Sequence, residues 1–250
     1  MEFDNYCMKR LLVFFLSIIK TKMLRLKRNV TNQRIQYVSL LKNKPVSSKF
    51  GFDRGTPIDR YYIERFLNDH RQYVSGNILE IGGVKYSKKF SYGNNNKFYC
   101  LTHDTPPHSK DISFIKGDLT KEESLPEGLI DCFICTQTFN FIYDVRTAIR
   151  GAYKLLKEGG VLCATVSGLS QISRYDMDRW GDYWRFTDLS IRKLVGEVFL
   201  KNNIQVFVYG NAMSATALVQ GLAVEDIQDK SLLEKCDPDY QLTIGIIAKK

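Results

Sequence analysis

A chain of 250 residues, 44% hydrophobic and 25% charged, has the make-up of a globular protein with one sizeable core, which excludes a disordered or low-complexity polymer. Its formal charge of +9 sits in the first 49 residues, which hold eleven Lys and Arg against two acids, while residues 50–250 hold twenty-five of each. The neutral remainder lacks the basic surface of a nucleic-acid enzyme, so no nucleic acid partner is expected, and attraction to polyanions belongs to the N-terminal arm.

The division at residue 50 gives two expected parts: a basic arm over 1–49 and a folded domain over 50–250. Within the arm, residues 8–28 (MKRLLVFFLSIIKTKMLRLKR) set nine residues, Leu11 to Ile19, apolar but for Ser17, between basic flanks. A bilayer span needs about twenty predominantly apolar residues, so this run is too short to cross. Lys20-Thr21-Lys22 is not the small-residue cleavage site of a secretory signal. An interfacial helix making peripheral membrane contact is expected, against the alternative of a helix packed on the domain with its Lys and Arg in water.

The six cysteines are scattered, four of them in predicted strands, as expected of small hydrophobes in a reducing compartment. Cys132 and Cys135 form a C-x-x-C, but no second pair stands at metal spacing and residues three apart on a strand face opposite ways, so no metal is expected. A cytoplasmic location follows, with the arm at the inner face of the membrane.

In chain order, Gly55 marks a turn. Thr56 as N-cap and Pro57 at the first helical position open a helix with Ile58, Tyr61, Tyr62, Phe66 and Leu67 on one face. The stretch Asn77–Phe90, NILEIGGVKYSKKF, reads as a buried strand ending in Gly82-Gly83, a turn where backbone comes close to a ligand or simply turns into a helix. Further strands are expected at Lys97–Thr102 and Ile112–Ile115, the first followed by Asp104 and His108 and the second by Gly117-Asp118-Leu119. The run LIDCFICTQ reads as a central parallel strand, followed by a helix over Val145–Leu156. Lys157-Glu158-Gly159-Gly160 reads as a helix stop, and VLCATV as a fifth strand. The aperiodic segment 167–187 is long for a compact domain, which marks it as functional. A helix from Thr187 or Asp188 to Phe199, a strand at Ile204–Tyr209, a helix over Met213–Ile227 and a strand at Gln241–Ala248 complete the chain. Strands alternating with helices predict a doubly wound α/β sheet.

Taken together, LEIGG at 79–83, Asp104 twenty-two residues after Gly82, GDL at 117–119, DCFICTQTFNFIYD at 131–144 and LLKEGGVLCATV at 155–166 resemble the class I S-adenosylmethionine-dependent methyltransferases. FDRGTPIDRYYIERFL and SQISRYDMDRWGDYWRFT resemble a bacterial subgroup associated with glycosyltransferases and polysaccharide pathways. The resemblance implies a Rossmann-like sheet of about seven strands with helices on both faces and an antiparallel C-terminal strand. It also implies S-adenosylmethionine as cofactor and methyl transfer to a small polar or glycan-type acceptor.

By that resemblance the cofactor is held by Glu80, Gly82, Gly83, Asp104, Asp118, Leu119 and Thr136. Glu80 reaches the methionine ammonium, Asp104 the ribose hydroxyls and Asp118 the adenine amine. One departure stands out: the family's three alternate glycines are here the adjacent pair Gly82-Gly83 followed by Val84-Lys85. Each acid also has an ordinary alternative, Glu80 and Asp118 as caps of short helices and Asp104 as a turn cap. The acceptor is expected at Arg174, Tyr175, Trp180, Tyr183, Trp184 and Arg185, whose rings and cations suit a polar ring, with Asp176 and then His108 as candidate bases. Two other functions compete. A nicotinamide-dependent dehydrogenase would need a G-x-G-x-x-G that is absent, and a silent scaffold or membrane-associated partner on the same fold is favoured by the altered glycine pair.

Overall fold

The computed structural model describes residues 43–103 and 109–250. Seven strands form one sheet: β1 (Asn77–Ile81), β2 (Lys97–Thr102), β3 (Ile112–Lys116), β4 (Ile130–Thr136), β5 (Leu156–Ser167), β6 (Ile204–Tyr209) and β7 (Thr243–Lys249). Their order is β3-β2-β1-β4-β5-β7-β6, with neighbours parallel from β3 to β5 and β7 antiparallel to both β5 and β6. The doubly wound Rossmann-like sheet with an antiparallel C-terminal strand is thus present. The chain order reverses between β1 and β4, and in open α/β sheets the crevice at such a reversal, beyond the carboxyl ends of the strands, is where ligands bind.

The helices are α1 (Ile58–Asp69), α2 (Lys85–Phe90), α3 (Val145–Leu155), α4 (Arg174–Met177), α5 (Asp188–Val195) and α6 (Ala212–Val219). The described residues fall into two compact units, one of 43–61 with 216–234 and the other of 62–215 with 235–250.

In the larger unit, β4 is buried along nearly its whole length because helices cover both faces of the sheet. One face packs Ile149, Ala152 and Leu155 of α3 and Ile191 and Val195 of α5 against Leu79, Phe133, Leu162 and Ile246. Opposite, Phe66 of α1 lies over Gly245 of β7, where even a Cβ would come within 2.4 Å of the ring, and stacks among His70, Phe207 and Tyr209. Cys100, Cys132, Cys135 and Cys163 are free and buried in strands, and burial pushes the Cys135 thiol up to about 12.

In the smaller unit, Arg54 grips the Asp226 carboxylate with two nitrogens at 2.7 and 2.9 Å. Thr56 does not serve as the expected helix cap: its amide and hydroxyl both donate to Glu225, at 2.7 and 3.0 Å, and Pro57 pairs with Ala223 ahead of α1. The helix expected over Met213–Ile227 also stops early, at Val219, because Gly221 takes a left-handed φ of +65° and presses on the Ser47 carbonyl; a short 3-10 turn, Val224–Asp226, follows. A third difference lies at Lys157–Gly160, which continues β5 instead of ending a helix in a turn. Leu156 already pairs with Ile130, and the extra residues are absorbed as a register shift before Cys132 pairs with Val161.

Candidate functional site

Three strand ends define the crevice. At the end of β1, Gly82 has φ +71°, its amide donates to the Leu101 carbonyl at 3.3 Å, and a Cβ on Gly82 or Gly83 would meet nothing among the described residues within 4 Å. The backbone therefore turns through a conformation that glycine adopts freely and leaves space beside it that no described residue fills. Glu80, one residue before the turn's entry, is buried and spends its carboxylate locally. One oxygen accepts from the Tyr86 amide at 3.2 Å, the other from the Ser87 amide and hydroxyl at 2.8 Å each. It thus secures the first turn of α2, the capping alternative raised by the sequence. The Cys100 thiol of β2 lies against the same turn; burial raises its pKa and the Glu80 charge adds to this, opposed by the Gly83 and Gly82 amides.

Asp104 and His108 lie outside the described residues. Asp118, after β3, accepts from the Thr120 amide and hydroxyl at 2.8 Å each, both on Oδ1. Burial pushes its carboxyl up, but these two bonds, with His103 and Lys121 nearby, hold it below the usual carboxylate range. Its other oxygen has no protein partner among the described residues. Leu119 is 3% exposed and belongs to the core, and Thr136 is half-buried at the last position of β4, paired with Thr165.

The end of β4 holds two residues that periodicity does not single out. Gln137 has φ +51°, unusual for a residue with a side chain. Its amide donates to the Thr165 carbonyl at 2.8 Å and its Oε1 accepts from the Ser167 hydroxyl at 2.6 Å. Its Nε2 is buried without a hydrogen-bond partner among the described residues. Asn140, 2% exposed, joins three segments. Its Oδ1 accepts from the Ser167 amide at 3.1 Å, its Nδ2 donates to the Trp184 carbonyl at 2.7 Å, and its backbone carbonyl accepts from the Tyr183 and Trp184 amides. A polar residue inside the apolar run TFNFI was the one available sign of it.

Asn140 thereby fastens the segment after β5. Within that segment Arg185 pairs with Asp182 at 2.6 Å and donates to the Ser170 and Gln171 carbonyls, so its guanidinium anchors the loop to itself. Asp176 accepts from the Ser173 hydroxyl at 2.5 Å, and Arg174 is exposed beside Met177. The rings stand outward in two groups. Tyr143 stacks on Trp184 at 5.9 Å and meets Tyr183 edge-on at 5.4 Å, while Tyr175 meets Trp180 edge-on at 6.1 Å with the Arg179 guanidinium 3.5 Å above Tyr175. Trp180 is 53% exposed and Tyr175 63%, far more than core aromatics. Beside the first group, Tyr143, Arg146, Trp184, Ser190, Lys193 and Glu197 line a cleft of about 430 Å³.

Among the described residues no cluster of His, Cys, Asp and Glu could hold a metal, and no helix is long and apolar enough to cross a membrane.

Residues 79–164 match the family model of the methyltransferase domain. No curated protein matches the chain. Among solved structures, the chain is similar to a protein from Bordetella parapertussis (12% identity, 84% of this chain and 77% of that one covered, TM-score 0.50). It is also similar to the N-methyltransferase NodS from Bradyrhizobium japonicum in complex with S-adenosyl-L-homocysteine (14% identity, 84% and 94% covered, TM-score 0.48). A third is an S-adenosylmethionine-dependent methyltransferase from Archaeoglobus fulgidus (12% identity, 76% and 94% covered, TM-score 0.47). The seven-stranded sheet, with its one strand antiparallel to both neighbours, is a Rossmann-like fold, and residues 79–164 within it match the methyltransferase domain.

Proposed function

We propose that the chain is an S-adenosylmethionine-dependent methyltransferase that methylates a small polar or glycan-type acceptor. The observation that carries this reading is the glycine turn at the β1–β4 reversal: Gly82 is left-handed and a Cβ there meets nothing among the described residues, within a stretch matching the methyltransferase domain. The residues fit such a ligand. Gly82 and Gly83 admit its amino-acid part, the uncommitted oxygen of Asp118 suits an adenine amine, and Asp104 is assigned to the ribose. When bound, the cofactor supplies an activated methyl group on a sulfonium.

The chain's own contribution is then alignment, which governs an in-line displacement. The acceptor side is assigned to Arg174, Tyr175, Trp180, Tyr183 and Trp184, because exposed rings and a cation suit stacking on a polar ring, and this supports the polysaccharide-pathway association. Arg185 takes part by holding this segment in shape. For a hydroxyl acceptor Asp176 is the first candidate base and His108 the second. The arm adds peripheral contact with the inner face of the membrane.

Calorimetric titration with S-adenosylhomocysteine and, separately, with NADH tests the reading. Binding of the former alone supports it, binding of NADH makes the chain a dehydrogenase, and binding of neither leaves a silent scaffold.

A further inference from the structure

We propose that Gln137 is a cofactor-positioning residue whose side-chain amide donates to the carboxylate of the amino-acid part of S-adenosylmethionine; this rests on the cofactor reading above. Two independent features of Gln137 bear on this role. The first is its backbone: φ +51° is a conformation that a residue with a long side chain occupies only when its surroundings impose it, and such strain gathers at ligand sites. Here the imposing contact is the amide bond to the Thr165 carbonyl on β5, which turns the chain at the end of β4.

The second is the side chain. Oε1 accepts from the Ser167 hydroxyl at 2.6 Å, and with the amide in that orientation Nε2 is buried with nothing to donate to among the described residues. Buried donors in folded proteins are nearly always paired, and an orphan donor at a strand end asks for an acceptor that arrives with a ligand.

Position selects which acceptor. Strands β1 and β4 are parallel neighbours in the register Glu80↔Ile134, so Gln137 and Gly83, each three residues further on, leave the sheet side by side at the reversal. No described residue fills the space beside Gly82 and Gly83. The ligand part admitted by the glycine turn is the amino acid, whose ammonium can only donate. A donor at the neighbouring strand end can bond only the carboxylate, and that hydrogen bond is charge-assisted.

The test is a ligand-deletion cycle by calorimetry on the full chain, using S-adenosylhomocysteine and 5′-methylthioadenosine, which lacks the amino-acid part. Gln137→Met keeps the length and removes the donor. It should weaken S-adenosylhomocysteine about ten- to hundredfold, the usual range for a hydrogen bond to a charged group, and leave methylthioadenosine within about twofold. Gln137→Glu keeps the Ser167 bond and turns an oxygen to the carboxylate, so it should weaken S-adenosylhomocysteine further. An equal loss for both ligands, no loss for either, or tighter binding by the Glu variant each overturn the assignment; the last would set an oxygen against the ammonium instead. Should the Met variant fail to fold, the Glu variant alone decides between the same outcomes. A wild-type chain that binds neither ligand overturns the cofactor reading and this inference with it, whereas wild-type binding with an indifferent Gln137 overturns the inference alone.

Discussion

Asn140→Ala is expected to loosen the whole segment 167–187. The side chain is 2% exposed and satisfies two backbone groups, the Ser167 amide at 3.1 Å and the Trp184 carbonyl at 2.7 Å. Truncation leaves both without their partner. An unpaired buried polar group costs about 1–3 kcal/mol, and because these bonds are only partly buried about 1–1.5 kcal/mol applies to each, about 2–3 kcal/mol together. For a protein of this size each kcal/mol lowers Tm by roughly 2–4 °C, so a fall of about 4–12 °C is expected.

Both tryptophans of the chain, Trp180 and Trp184, lie on this segment, so Trp emission reports on it directly and should shift to the red. Asn140→Asp separates the two bonds. It keeps an acceptor for Ser167 but sets an oxygen against the Trp184 carbonyl, and burial raises the new carboxyl's pKa above its unfolded value of about 3.9. The protonated acid donates as Asn does. The variant should therefore approach wild-type stability below about pH 3.9 and lose ground as pH rises through the higher folded value. Chemical denaturation across pH measures this. Asn140→Ala within about 0.5 kcal/mol of wild type, with unshifted emission, would refute the role given to Asn140.

Gly82→Ala should cost about 1–2 kcal/mol from the left-handed backbone alone, since its methyl meets no atom of the described residues, and should reduce S-adenosylhomocysteine affinity by more than that strain implies; unchanged affinity in calorimetry would remove the turn from the site. The Asp182 carboxyl is pushed up by burial, but the Arg185 guanidinium and the Ser173 amide hold it lower overall. Its contribution is present above about pH 3.9 and lost as pH falls through the lower folded value, so Asp182→Asn should flatten the acid limb of a denaturation profile. Trp180→Ala and Asp176→Asn should lower methyl transfer while leaving S-adenosylhomocysteine affinity within a few-fold; loss of folding in both would make the segment structural, and full turnover in both would move the acceptor elsewhere. The full chain should float with anionic liposomes more than a chain beginning at residue 43, and the difference should shrink as salt screens the arm; equal flotation would refute membrane contact.

Most of the elements and their kind were legible in local composition and periodicity. Buried runs such as ILEI and IDCFICT have to be strands covered on both faces, and their alternation with amphipathic helices leaves a doubly wound sheet as the natural packing. The glycine turn and the aperiodic aromatic segment were legible for the same reason, since backbone freedom and broken periodicity are local properties of a few adjacent residues. Where polar groups find their partners depends instead on long-range packing. Glu80 could be read as ligand or cap until the fold brought Ser87 to it. Asn140 and Trp184 meet across 44 residues, Arg54 and Asp226 across 172, and no local pattern encodes a bond at that separation. Where such partners compete with local propensity they prevail, which is why Thr56 donates to Glu225 instead of capping α1 and why α6 ends where Gly221 meets Ser47. The backbone of Gln137 belongs to the same class: nothing in its neighbours asks for a left-handed turn, and β5 imposes it through the Thr165 carbonyl.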